Sequence, residues 1–168
     1  MIIACSLISA CGFQLRGEAA FPASLRELKL ECANTQDWQL CQSLRDALRI
    51  NGVTLNEKAP FTLSIQSGDT HQRVVSLQQD ASAAEYSLTQ TVEYQLLDSS
   101  SQQQISQQSL ATDRSYRNDA SALLAKERES AEIRTELNRR LAAMVIRQIS
   151  VFDQQRIDEI LSQLKEAD

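Results

Sequence analysis

Glycine and histidine are scarce in this chain, with four glycines and a single histidine in 168 residues. Four glycines leave little room for a loop that cradles phosphate, and none follows a strand in a glycine-rich run. His71 alone cannot supply an H-x-x-x-H metal pair, and the four cysteines contain no C-x-x-C spacing. No serine sits in a G-x-S-x-G elbow. His71, between Thr70 and Gln72 with Asp69 nearby, reads as a solvated surface residue. Catalytic use would need the fold to bring it a serine and an acid. Aromatic residues make up only 5% of the chain. The net charge of −5 argues against a general binder of nucleic acid or of anionic membranes, so any polyanion must meet a local basic cluster. Beyond the first ten residues no apolar run exceeds a few positions, whereas a membrane-spanning helix takes roughly 20. No catalytic residue, no metal and no other cofactor is expected.

What is present begins at the N-terminus. Met1 to Ala10 is uncharged and mostly apolar, the length of a signal-peptide apolar region. It lacks the positively charged start of such a signal, which we read as a truncated or misassigned beginning. Ile8-Ser9-Ala10-Cys11 fits a bacterial lipobox, where small side chains beside the scissile bond admit the peptidase. The Cys11 thiol would then receive diacylglycerol. Gly12 follows, not the Asp that commonly holds such lipoproteins at the inner membrane, so an outer-membrane address is expected. The alternative is a short buried strand with a chance cysteine. With Cys5 in the signal and Cys11 acylated, Cys32 and Cys41 remain: a disulfide in an oxidising compartment, or two buried thiols.

The expected division is a signal peptide over 1–10, a lipidated N-terminus and linker over 11–24, a sandwich domain over 25–150 and a C-terminal helix over 151–168. Cleavage would leave about 158 residues, enough for one domain that buries roughly 70% of its unfolded surface. Gly17 and Pro22 break the linker. "LRELKLEC" alternates as a strand, with Leu28, Leu30 and Cys32 inward. "DWQLCQSLRDALRING" changes to a helical period: Cys41, Leu44 and Leu48 face inward, Asp37 caps the start and Asn51-Gly52 the end. Strand, helix and strand together suggest a crossover between parallel strands.

"FTLSI" opens the second strand with Phe61, Leu63 and Ile65 inward, and Val75 and Leu77 keep that parity. "AEYSLTQTVEYQLL" puts Tyr86, Leu88, Val92, Tyr94 and Leu96 on one face, interrupted by Gln90. The link from Gln79 to Ala84 suits a hairpin, and Asp98 to Gln102 suits the next turn. A fourth strand runs from about Gln104 to Arg117, where Ile105 and Leu110 differ in parity and call for a bulge or an edge. From Asp119 to Ile149 the period is helical, with Ile133, Leu137, Leu141, Val145 and Ile149 in one stripe. A shorter amphipathic helix follows from about Phe152. The expected class is α+β: a two-layer sandwich in the order βαβββα, two main helices on one face of a four-stranded mixed sheet, with an extra C-terminal helix.

This topology brings the Gln79–Ala84 turn and the start of the long helix to one end. Arg114, Arg117, Lys126 and Arg128 gather there, beside the positive end of the helix dipole. They form either an anion site or a solvated face paired with Asp113, Asp119, Glu127 and Glu129.

Cys11-Gly12 followed by "FQLRG", then "LRDALRINGV", "AEYSLTQTVEYQLL" and "LAKE", resembles the LptE family, also called rare lipoprotein B, over roughly residues 11 to 150. The resemblance implies an outer-membrane lipoprotein that plugs the LptD β-barrel and binds lipopolysaccharide through basic residues at one end of the sandwich, with no nucleic-acid partner. Lys126, in "LAKE", falls where the family has such a lysine. A family arginine falls near Gln79, which is not cationic, so the departure either weakens the site or moves its charge to neighbours such as Arg73, Arg114 or Arg117. The outward face of "AEYSLTQTVEYQLL", with Thr89, Thr91, Glu93 and Gln95, could meet either a polar barrel interior or solvent. Competing readings are a periplasm-facing lipoprotein that scaffolds envelope proteins or grips peptidoglycan, and a lipid-anchored hydrolase using His71.

Overall fold

The computed structural model describes residues 21–32, 38–79, 83–117 and 123–167. After a single 3-10 turn at Ala23–Leu25 the elements run β1 (Glu27–Glu31), α1 (Trp38–Ile50), β2 (Thr54–Leu55), β3 (Phe61–Leu77), β4 (Ala83–Asp98), β5 (Gln104–Arg117), α2 (Leu123–Ile149) and α3 (Gln154–Ala167). The five strands form one mixed sheet in the order β2-β1-β3-β4-β5. β1 is parallel to both β2 and β3, and β3, β4 and β5 form an antiparallel meander. The expected α+β sandwich is therefore present, with one strand more than the four anticipated. The added β2 is two residues long, too short to carry a period-2 signal.

One core joins the layers. Leu28, Leu63, Ile65, Val92, Tyr94 and Leu96 from the sheet pack against Leu40, Leu44 and Leu48 of α1 and Leu141, Val145 and Ile149 of α2. The α1 stripe starts at Leu40 and not at Cys41, which is half-buried because its sulfur turns toward β1. α1 ends as its Asn51-Gly52 suggests: Gly52 takes φ +75°, and the Gly52 and Val53 amides bond back to Arg49 and Leu48 at 3.0 Å. Asp37 and the expected helix start at Asp119 lie outside the described residues. α3 is capped by Asp153, whose carboxylate accepts the Arg156 amide at 2.9 Å. Ile157 takes it into the same core, so all three helices cover one face of the sheet.

Two irregularities correct the expected strand parity. Gln66 has no partner on β4, because Ile65 pairs with Tyr94 and Ser67 with Glu93. From there the inward set of β3 moves to even numbers, and Gly68, Thr70, Gln72 and Val74 oppose the inward residues of β4. Val75 and Leu77, expected inward, are exposed. On β5 the parity conflict between Ile105 and Leu110 has the anticipated cause. Leu96 pairs with Ser106 and Leu97 with Gln104, so Ile105 is the extra residue of a bulge and buries independently of the alternation.

Candidate functional site

The meander extends beyond the main core. At about 3.3 Å per residue, the 17-residue β3 spans roughly 55 Å, and α2 with 27 residues spans roughly 40 Å. Its far end carries a small second core of Leu88, Tyr116, Ile133 and Leu137. Tyr86 and Tyr116, paired in register, stack there with ring centroids 5.8 Å apart.

The strand register assigns each predicted cation a place. Arg73 opposes Ser87, Arg114 opposes Leu88, and Arg117 opposes Glu85, so all three lie at the far end. They do not share a face. Arg114 follows Leu88 onto the helix side, where it donates to Glu136 of α2, and Glu136 also accepts a bond of 2.9 Å from Arg140. Arg73 and Arg117 follow Ser87 and Glu85 onto the open side. Arg128 is exposed in the early turns of α2. Among the described residues no ion pair engages Arg73, Arg117 or Arg128. Lys126 falls in the first turn of α2, and its side chain lies outside the described residues, as does Asp119. Gln79 is exposed at the end of the meander.

His71 is exposed and opposes Thr89, whose other neighbour is Asp113. No serine stands in that row, so the strand register gives the hydrolase reading no nucleophile. Among the described residues no group of three or more His, Cys, Asp or Glu could hold a metal, and no helix is long and apolar enough to cross a membrane. Cys32 and Cys41 are bonded, with Cα atoms 6.3 Å apart, tying the end of β1 to the first turn of α1. Cys11 lies outside the described residues.

The open face of the meander is polar nearly throughout. Successive rows read His71–Thr89–Asp113, Asp69–Thr91–Ala111 and Ser67–Glu93–Ser109. Gln95 reaches Gln107 at 3.3 Å, and Thr91 donates to the Asp69 carbonyl at 3.4 Å. On β4 the inward row is interrupted by Gln90, which is fully buried and accepts a hydrogen bond from Thr70.

Known proteins place this architecture. A family model described as LptE, lipopolysaccharide-assembly, matches residues 25–149, which run from the 3-10 turn to the last residue of α2. The chain belongs to the LptE family. The LPS-assembly lipoprotein LptE of Photorhabdus laumondii is 31% identical over 152 residues, covering 88% of this chain and 81% of that protein. Its counterpart in Pectobacterium atrosepticum is 28% identical over 151 residues, covering 88% and 80%. Among solved structures, the rare lipoprotein B of Shewanella oneidensis superposes with a TM-score of 0.65 at 22% identity, over 74% of this chain and 94% of that one. The lipoprotein B of Nitrosomonas europaea does so with a TM-score of 0.69 at 19% identity, over 84% and 92%. These two share the fold. The family acts in lipopolysaccharide assembly and is not a family of enzymes.

Sequence reasoning located the cations but not their partners. Glu136 lies 22 residues from Arg114, and only the packing of α2 on β5 brings the two together. Val75 and Leu77 were expected inward because neither the bulge at Gln66 nor the register shifts around Ser76 show in the sequence pattern of β3.

Proposed function

We propose that this chain is an outer-membrane lipoprotein, acylated at Cys11, that plugs the LptD β-barrel and binds lipopolysaccharide during its delivery to the outer leaflet. One observation carries the reading: a sheet with three helices on one face and a predominantly polar opposite face, in a member of the LptE family. A bare polar sheet face suits the water-lined lumen of a large barrel. Lipopolysaccharide would meet the far end, where Arg73, Arg117 and Arg128 have no ion-pair partner among the described residues and Lys126 opens α2. Guanidinium and ammonium groups there replace the divalent cations that bridge phosphates in aggregated lipid A, through charge-assisted hydrogen bonds. The body needs no covalent chemistry, only a rigid shape and an anchor.

Gentle detergent extraction of the lipidated protein from its own outer membrane tests the plug. A large β-barrel should co-purify in near one-to-one amount, and mass spectrometry identifies it. Recovery of the lipoprotein alone, or with peptidoglycan fragments, refutes the plug reading and favours a scaffold. For the lipid, Lys126→Asp should weaken lipopolysaccharide binding with no change in melting. Unchanged binding removes Lys126 from the site.

A further inference from the structure

The outer side of the helix layer, facing away from the bare sheet, carries a groove between α1 and α2. α1 returns from the end of β1 and α2 from the end of β5, two strands of the same sense, so the helices run side by side in one direction. The cleft between them has a volume of about 530 Å³. Its apolar part is Ala47 and Ile50 of α1 with Ala143 and Ile146 of α2. Ile146 is buried, but Ile50 is 84% exposed, the most exposed large apolar side chain among the described residues. Arg139 and Arg147 of α2 line the same groove, and Asp46 of α1 is its single carboxylate. Both arginines are exposed, and among the described residues no ion pair engages either.

Charge and backbone chemistry decide the occupant. Arg147 follows Arg139 by eight positions on α2, so the two stand about 12 Å apart along one helix face, with Ala143 between them. In a chain of net charge −5, two cations flanking an apolar strip complement a segment with two carboxylates around an apolar side chain. Both walls are helices, whose backbone groups are already bonded internally. An extended segment would find no partner there for its own buried backbone, whereas a helix brings those bonds with it. A second copy fits poorly. Its α3 carries Glu159 and Glu166, but the apolar Ile157, Ile160 and Leu161 of that helix are already packed into the core.

We propose that the α1–α2 groove docks an acidic amphipathic helix of a partner protein. One apolar side chain of that helix packs against Ile50 and Ile146, and carboxylates one turn to either side meet Arg139 and Arg147. The small side chains of Ala47 and Ala143 let the helix axes approach closely. The groove thus reads an acid, an apolar residue and a second acid on successive turns of one face.

The test uses the full chain and two fluorescent helical peptides, one with glutamates a turn before and a turn after a central leucine, the other with lysines in their place. The parent should bind the glutamate peptide about tenfold more tightly than the lysine peptide. The Arg139→Glu, Arg147→Glu variant should reverse that preference with no change in melting. Ile50→Ser should weaken the glutamate peptide severalfold, and its exposure makes a folding defect unexpected. A parent that binds neither peptide, or both equally, overturns the inference, as does a variant with unchanged preference. Self-association of the parent in sedimentation, abolished by the two arginine substitutions, makes the occupant a second copy and overturns it too. Loss of the co-purifying barrel from the same variant makes the occupant the barrel wall, which overturns the helix and leaves the plug reading standing.

Discussion

Arg114 of β5 and Glu136 of α2 form a salt bridge across the seam between sheet and helix, and Arg140, four residues along the same helix, shares the carboxylate. The three side chains are 50%, 41% and 49% exposed, so water and salt screen them and the network contributes about 0–1 kcal/mol. Its larger effect is electrostatic, because Glu136 neutralises a cation at the end where an anion would bind. Glu136→Gln should leave the melting temperature within about 3 °C and strengthen lipopolysaccharide binding roughly two- to fivefold at low salt, a gain that fades near 1 M salt. Titration at two salt concentrations reads this. Weaker binding would show that the bridge positions Arg114 and does not mask it.

The Cys32–Cys41 bond closes a short loop, nine residues apart in sequence, between a strand and the helix that crosses over it. Removing that constraint from the unfolded chain should cost about 2–3 kcal/mol. The Cys32→Ser, Cys41→Ser variant should melt roughly 5–10 °C lower, and reductant should produce the same shift in the parent but none in the variant. A parent melt indifferent to reductant would show that the bond adds no stability.

Much of this fold is legible in the alternation of its residues. The β4 face, the α2 stripe and the Gly52 stop follow directly from spacing, and even the Ile105 irregularity shows as a clash of parity with Leu110. The bulges at Gln66 and Val75 leave no such mark. Polar residues and Gly68 follow Gln66 as far as Arg73, so moving the register there breaks no visible pattern. The site was half legible for the same reason. Topology gathered the arginines at one end, but their division between two faces depends on a register that only the folded sheet displays.

Tyr94 is 1% exposed, and burial pushes its phenol up to about 12. An acid whose folded pKa is raised keeps its proton in the native state, so its unfolded form releases more protons between about pH 10 and 12. Stability should therefore fall progressively across that window. Tyr94→Phe should flatten that part of the fall, read by denaturant melts at pH 9 and pH 11. Equal slopes in variant and parent would assign the alkaline loss to other groups.

At the β4–β5 turn, Asp98 Oδ1 accepts from the Ser100 hydroxyl at 2.6 Å, the Ser100 amide at 3.0 Å, and the Ser101 amide and hydroxyl at 2.8 and 3.0 Å. The Ser100 hydroxyl bond, with the others behind it, holds the carboxyl below its ordinary value. This stabilisation is present above the unfolded carboxylate pKa of about 3.9 and is lost as pH falls through the lower folded value. Asp98→Ala should cost about 1 kcal/mol at neutral pH after allowance for solvent screening, and the gap to the parent should close in acid. A gap constant from pH 7 to pH 2 would show that the turn does not depend on the charge.

Because all three helices sit on one side of the sheet, half of the meander's side chains carry no duty to the core beyond staying hydrophilic. Exchanging serine, threonine or glutamine among those outward positions costs folding within about 0.5 kcal/mol. Relatives at 28% and 31% identity are thus free to differ on that surface at little cost to folding. A body transplanted beside a distant species' partner would then fail by misfit, as a well-folded stranger.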